Sequence, residues 1–256
     1  MVDFSEVQSP GNMLWSDRLL IAKEITRRKQ EIDYEKIAGH NRLLLLGESH
    51  FDSQPPAHIA EFADVFNKMG FTHYCIEAPI NSQPFLDKLS SNPDIDLSGV
   101  TLGPGFNQAS YEKAVRALAR KGIKIVTVAP DSTKSYTKFE DREAYIKSRV
   151  LNLLTDKKNR ILVLIGSFHI TKHFDRHPVW LGQLAAQEGT SVASAYIIGG
   201  HNKANPKIFN VLLEQSICAA NLLNTSFMVD MRDVNMWNHD SLEQYQADYL
   251  IHLPEK

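Results

Sequence analysis

The run Arg42-Leu-Leu-Leu-Leu-Gly-Glu-Ser-His50 decides how this chain is read. Four consecutive leucines leave no polar face, so a strand here is covered on both sides. The run is too short for a helix of its own and is closed at once by Gly47. A glycine there lets the chain turn sharply without steric cost. The same grammar recurs along the chain. Thr72–Ile76 ends in Glu77-Ala-Pro79, and Ile123–Val128 is followed by Pro130 and Asp131. Arg160–Ile165 ends in Gly166-Ser-Phe-His169, and Ser191–Ile198 in Gly199-Gly-His201. Phe227–Met231 and Tyr249–Leu253 read as two last strands.

Helical spacing fills the intervals. It predicts helices over Leu14–Gln30, Pro56–Met69, Ala109–Lys121, Phe139–Leu154, Val179–Gln187 and Pro206–Leu223. In the second, Ile59, Phe62, Ala63, Phe66 and Met69 share one face and Gly70 is the stop. Strands and helices alternate, and the strands are continuously apolar. The fold class is therefore α/β: a largely parallel central sheet with helices on both faces. No repeat, low-complexity tract or linker divides the chain, so residues 1–256 read as one domain, with 1–40 a helical extension and 41–256 the core.

In open α/β sheets ligands bind beyond the carboxyl ends of the strands. Here those ends carry Glu48 and His50, Glu77, Asp131, His169 and His201. Their recurrence on one edge predicts a polar pocket. Glu48 and His50 are two apart and share a side in extended backbone. A carboxylate beside an imidazole serves as a base with its orienting partner, or as two ligands of a metal; equally, Glu48 caps the next helix and His50 is a satisfied loop histidine. Glu77, in a strand expected to be buried, needs a partner or a changed pKa. Arg142 and Arg149, seven apart on one predicted helix face, are its candidates. His169, His173 and His177 would form one imidazole stripe on a continuous helix, able to bind metal or haem, but Pro178 argues against that helix. His40, His58, His73, His239 and His252 have no supporting context and read as structural or solvated.

Composition excludes other classes. Lys plus Arg is 28 and Asp plus Glu 30, a net charge of −2 that gives no sign of a nucleic-acid partner. The apolar runs are too short to span a membrane, and the start shows no secretory signal, so a cytoplasmic location is expected. Cys75 and Cys218 lack any metal or nucleophile setting. There is no Gly-x-Ser-x-Gly elbow, P-loop or strand-borne Gly-x-Gly-x-x-Gly.

In order, the chain presents Leu-Leu-Leu-Leu-Gly47-Glu48-Ser-His50, Ile-Glu77-Ala-Pro, Asp141-Arg142-Glu-Ala-Tyr-Ile-Lys-Ser-Arg149 and Leu-Val-Leu-Ile-Gly166-Ser-Phe-His169. That order resembles the erythromycin esterase/ChaN-like/TIKI-TraB superfamily, over roughly Leu43 to Leu253. The late Phe-Met-Val-Asp230-Met-Arg232 run looks like a strand of the esterase branch. The resemblance implies an α/β core and a pocket of Glu48, His50, Glu77, Arg142 and His169, with Arg149 as the fallback arginine. Asp131, His173, His201, Asp230 and Arg232 are then candidate substrate contacts. The Gly47-to-His50 spacing is one shorter than in the esterase branch, and Phe51 replaces its final glycine; this is closer to the haem-binding ChaN-like branch, whose members are exported lipoproteins.

The leading expectation is an esterase-like hydrolase of a small molecule. One histidine, preferably His50, activates water; Glu48 and Glu77 orient it; Arg142 and His169 stabilise the oxyanion. No cofactor is expected, although the alternatives keep a metal or haem open. The first alternative is a divalent-metal hydrolase of the TIKI type, held by His50, His169, Glu48 and Glu77. The second is a haem- or small-molecule-binding protein without catalysis. The third is a pathway-specific cyclase or dehydratase on the same pocket. Specificity is expected in loops such as Asn81–Gly105 and Asn202–Pro206.

Overall fold

The computed structural model describes residues 15–50, 52–103, 108–131, 139–170, 181–182, 185, 189–199, 216–232 and 247–254. Among them, seven strands form one sheet: β1 (Leu43–Glu48), β2 (His73–Pro79), β3 (Lys124–Ala129), β4 (Ile161–Gly166), β5 (Val192–Gly199), β6 (Phe227–Asp230) and β7 (Tyr249–Leu253). Their spatial order is β3-β2-β4-β1-β5-β7-β6. All neighbours are parallel except β6, which runs antiparallel to β7. The α/β reading thus holds, with a reversed strand at one edge.

The leucine run shows why the centre is parallel. Leu43 and Leu45 pack into one apolar cluster, Leu44 and Leu46 into the other. Alternation along one strand therefore supplies both faces. On the first face lie α1 (Trp15–Arg28), through Ile21 and Ile25, and α7 (Phe139–Leu154), through Ile146 and Val150. On the second lie α2 (Tyr34–Ala38), α3 (Gln54–Glu61), α4 (Ala63–Lys68), α5 (Gln83–Leu86) and α6 (Gln108–Arg120). The helices before β1 therefore pack onto the sheet, one on each face.

Two local expectations are corrected. Gly47 does not turn the chain: it remains in β1, paired with Ile165 and Tyr196. Its missing Cβ makes room for the 3-10 turn Ser167–Ile170, since a Cβ there would lie 2.7 Å from the Ile170 side chain and 3.0 Å from the Ser167 backbone. The helix expected over Pro56–Met69 begins at Gln54 and divides at Phe62 into α3 and α4. The remaining expected helices, over Val179–Gln187 and Pro206–Leu223, lie largely outside the described residues.

The edges of the sheet are covered by the chain itself. On β3, the Gln83 carboxamide donates to the Ile125 carbonyl at 2.9 Å and accepts from the Thr127 N–H at 2.7 Å. On β6, Gln30 exchanges two backbone hydrogen bonds with Met228, at 2.9 and 2.8 Å.

Candidate functional site

The parallel register brings three strand ends together. Glu48 pairs with Gly166 across β1 and β4, and β4 is also flanked by β2, which carries Glu77. His50 lies two residues beyond Glu48. Its ring stands between two carboxyl groups: Nδ1 is 3.4 Å from Glu48 Oε1 and Nε2 is 3.3 Å from Glu77 Oε2. The ring closely approaches Gly166, where a Cβ would lie 2.7 Å from Nε2. A residue with a side chain at 166 would take the space of the imidazole.

Glu77 is 7% exposed, and each of its oxygens is engaged. Oε2 accepts the Gly166 N–H at 3.0 Å, and Oε1 meets the Arg142 guanidinium and lies 3.7 Å from His169 Nε2. Burial by itself would raise this carboxyl. The neighbouring charges of His169, His50 and Arg142 overcome it and hold Glu77 well below the usual carboxylate range. Glu48 is the opposite case. It is 1% exposed, and desolvation, followed by the repulsion of Glu77 and Asp52, holds it well above its ordinary value. Its Oε1 accepts the Tyr111 hydroxyl, while Oε2 has no hydrogen-bond partner among the described residues. The two carboxyls on either side of one imidazole are thus pushed in opposite directions, Glu77 down and Glu48 up. Such a division marks acid–base sites.

Arg142 is delivered by α7, and the next residue, Glu143, reaches the same site. Glu143 is fully buried. Its Oε2 is 2.8 Å from His169 Nδ1 and its Oε1 accepts from Arg142 Nη1 at 3.3 Å. Arg142 Nη1 is also 3.5 Å from His169 Nε2. Burial alone would lower His169; Glu77 and Glu143 outweigh it and raise the imidazole to about 9. At neutral pH, His169 is therefore a cation.

Of the expected site residues, Glu48, His50, Glu77, Arg142 and His169 come together. Arg149 does not: its guanidinium reaches the Thr127 carbonyl on β3, at 3.3 and 3.4 Å. Asp131 lies just past the end of β3, on the same edge as the cluster and partly exposed. Asp230 and Arg232 lie elsewhere. Because β6 is antiparallel, Asp230 pairs with Tyr249, at the start of β7, and β6 lies three strands across from β1. There Asp230 binds Arg232, whose guanidinium also donates to the Tyr249 hydroxyl at 2.7 Å. His173, His177 and His201, with the loop Asn202–Pro206, fall outside the described residues.

Three functional-site neighbours were not read from sequence. Tyr111 sits at a core position of α6, where its apolar spacing with Ala114, Val115 and Leu118 hides its hydroxyl. Glu143 passes for a surface residue of an amphipathic helix, and its adjacency to Arg142 was the available signal. Asp52, 5% exposed, accepts the Gly199 N–H at 2.8 Å and the Gln54 N–H at 2.8 Å, tying the His50 loop to the end of β5. Cys75 is buried in β2, and burial pushes its thiol up to about 12, far from nucleophilic use.

Two of the four expected metal donors, His169 and Glu77, are already engaged. Both ring nitrogens of His169 and both oxygens of Glu77 already face charged or hydrogen-bonding partners, and the Arg142 cation stands where a metal would add its charge. Among the described residues, no group of three or more His, Cys, Asp or Glu side chains is arranged to hold a metal ion. The same engagement of His169 leaves no ring nitrogen for haem iron. No helix of the described residues is long and apolar enough to cross a membrane.

No protein-family model matches the sequence, and no curated protein matches it. The fold does have solved counterparts. A succinoglycan biosynthesis protein superposes with a TM-score of 0.60 at 10% identity, over 95% of this chain and 98% of its own. A Bacillus cereus protein gives 0.63 at 12% identity, over 93% and 97%. An erythromycin esterase mutant in its open conformation gives 0.62 at 11% identity, over 91% and 96%. At these identities the likeness is one of fold.

Proposed function

We propose that the protein is an esterase-like hydrolase of a small-molecule substrate, with His50 as its general base. One observation carries the reading: the His50 imidazole stands between two buried carboxyl groups, 3.4 Å from Glu48 and 3.3 Å from Glu77, with 22% of its side chain open to solvent. Arg142, at 30%, is likewise open, while Glu48, Glu77, Glu143 and His169 are closed off. A base and a cation thus face outward from an otherwise sealed cluster. The shared fold with an erythromycin esterase supports the same reading at the level of architecture.

His50 takes a proton from water as the water oxygen adds to the ester carbonyl carbon. Glu77, held ionised, orients the ring and stabilises its protonated form. The charge that develops on the carbonyl oxygen is met by Arg142, with the His169 imidazolium behind it. Donors placed in advance typically contribute about 2.7–4 kcal/mol each. Collapse of the tetrahedral adduct breaks the C–O bond, and the leaving alkoxide takes the proton back from His50. Burial disfavours the charged form of Glu48 beside the imidazole.

The test is hydrolysis of a panel of p-nitrophenyl esters and lactones by wild type, H50A and H169A. Losses of about 10²-fold or more in kcat/KM in both variants are expected. Wild-type rates in both would end the proposal.

A further inference from the structure

Glu77, Arg142, Glu143 and His169 form a closed ring of alternating charge. Each carboxylate touches both cations. Glu77 Oε1 meets Arg142 and lies 3.7 Å from His169 Nε2; Glu143 Oε1 is 3.3 Å from Arg142 Nη1 and its Oε2 is 2.8 Å from His169 Nδ1. Glu77 has other duties, to His50 and to the Gly166 N–H. Among the described residues Glu143 meets only the two cations, and it is wholly buried. A buried carboxylate is costly unless paired, so its presence needs a reason.

We infer that Glu143 is a positioning residue: it holds the His169 ring with both nitrogens protonated and fixes Arg142 beside it, so that two cations are presented in one fixed pose. This rests on the oxyanion role given above to Arg142 and His169, and it names the group that maintains them. Adjacent helix positions are about 100° apart around the axis. Arg142 and Glu143 can therefore reach the ring from two sides, the arginine from the open side and the glutamate from within. The groups facing His169 among the described residues are Glu77 from β2, Glu143 and Arg142 from α7, and, beyond Glu77, His50. Among the described residues Glu143 is the carboxylate placed at Nδ1, 2.8 Å away.

The test needs no substrate. Protein labelled with ¹⁵N in histidine is titrated by NMR as wild type, E143Q and E143D, with circular dichroism as the check on folding. Wild-type His169 is expected to remain an imidazolium through neutral pH and to titrate near about 9. In E143Q, which keeps the shape and loses the charge, proton affinity falls at least tenfold; in E143D, which keeps the charge, it stays raised. A folded E143Q with an unchanged His169 titration overturns the inference, since a merely structural glutamate would lower stability alone. If E143Q does not fold, a wild-type His169 that titrates near the ordinary value of a histidine overturns it equally. Failure of the hydrolase reading is separate: it appears as unaffected ester turnover in H50A and H169A, whatever the NMR shows.

Discussion

Gly166→Ala separates the fold from the function. The backbone at Gly166 is not in the left-handed region, so alanine is tolerated conformationally. The added methyl would lie 2.7 Å from His50 Nε2 and 3.0 Å from Cε1, while its distance to His169 Cδ2, 3.4 Å, is an ordinary contact. The His50 ring must therefore retreat by about 0.7 Å to regain that ordinary separation. It has room to do so, being at the free end of a partly exposed side chain. The stability cost is correspondingly small: overpacking typically costs about 1–3 kcal/mol, offset by about 0.4–1 kcal/mol from the stiffer unfolded chain, for a net near 1 kcal/mol. The functional cost is large, because Nε2 moves away from Glu77, and a displacement near 1 Å typically costs about 10²-fold in rate. Urea unfolding measures the first and kcat/KM on an ester turned over by wild type measures the second. A folded G166A with wild-type turnover would refute the claim that this glycine seats the base; a G166A that fails to fold would refute the claim that the ring can yield.

Three further predictions concern charge. His169, raised to about 9 when folded, stabilises the protein fully below the ordinary histidine value near 6.5, and this contribution is lost as pH rises from there to about 9; H169Q should flatten the stability–pH curve in that window, and an unchanged curve contradicts it. Glu48, raised by burial, disfavours folding as pH rises above the ordinary carboxyl value, because the unfolded chain ionises more readily than the folded one. E48Q should therefore be more stable than wild type at pH 8 and nearly equal at pH 4 by urea unfolding; an E48Q less stable at pH 8 counts against a raised Glu48. Chelator treatment should leave ester turnover unchanged, since Arg142 and His169 supply the positive charge; loss of activity restored by zinc would favour the metal-dependent alternative.

Much of the architecture was legible because it rests on local patterns. Leu43–Leu46 and Ile161–Ile165 are continuous apolar runs, and only a sheet covered on both faces accepts them. Strand ends carrying Glu48, Glu77 and His169 followed from the same reading. What remained hidden depends on long-range placement. Strand direction is one example: Phe227–Asp230 is as apolar as its neighbours, but its reversal places Asp230 at the start of β7 rather than at that strand's carboxyl end. Gly47 is another. Its spacing suggested a turn, whereas continued pairing with β4 and β5 keeps it extended and the tight contact with Ile170 explains the glycine. Tyr111 and Glu143 were missed because each has a conventional place on an amphipathic helix. Their partners, Glu48 and His169, are 63 and 26 residues away in the chain.

The covered sheet edges bear on how the protein behaves in company. An edge strand offers a row of free N–H and C=O groups to any passing chain, and such edges seed aggregation and strand exchange. Here the Gln83 carboxamide stands in for a peptide group against β3, and Gln30 closes β6 with its own backbone. At those positions an incoming strand must first displace a bond already made within the molecule. Strand addition is thus discouraged at those positions of both edge strands.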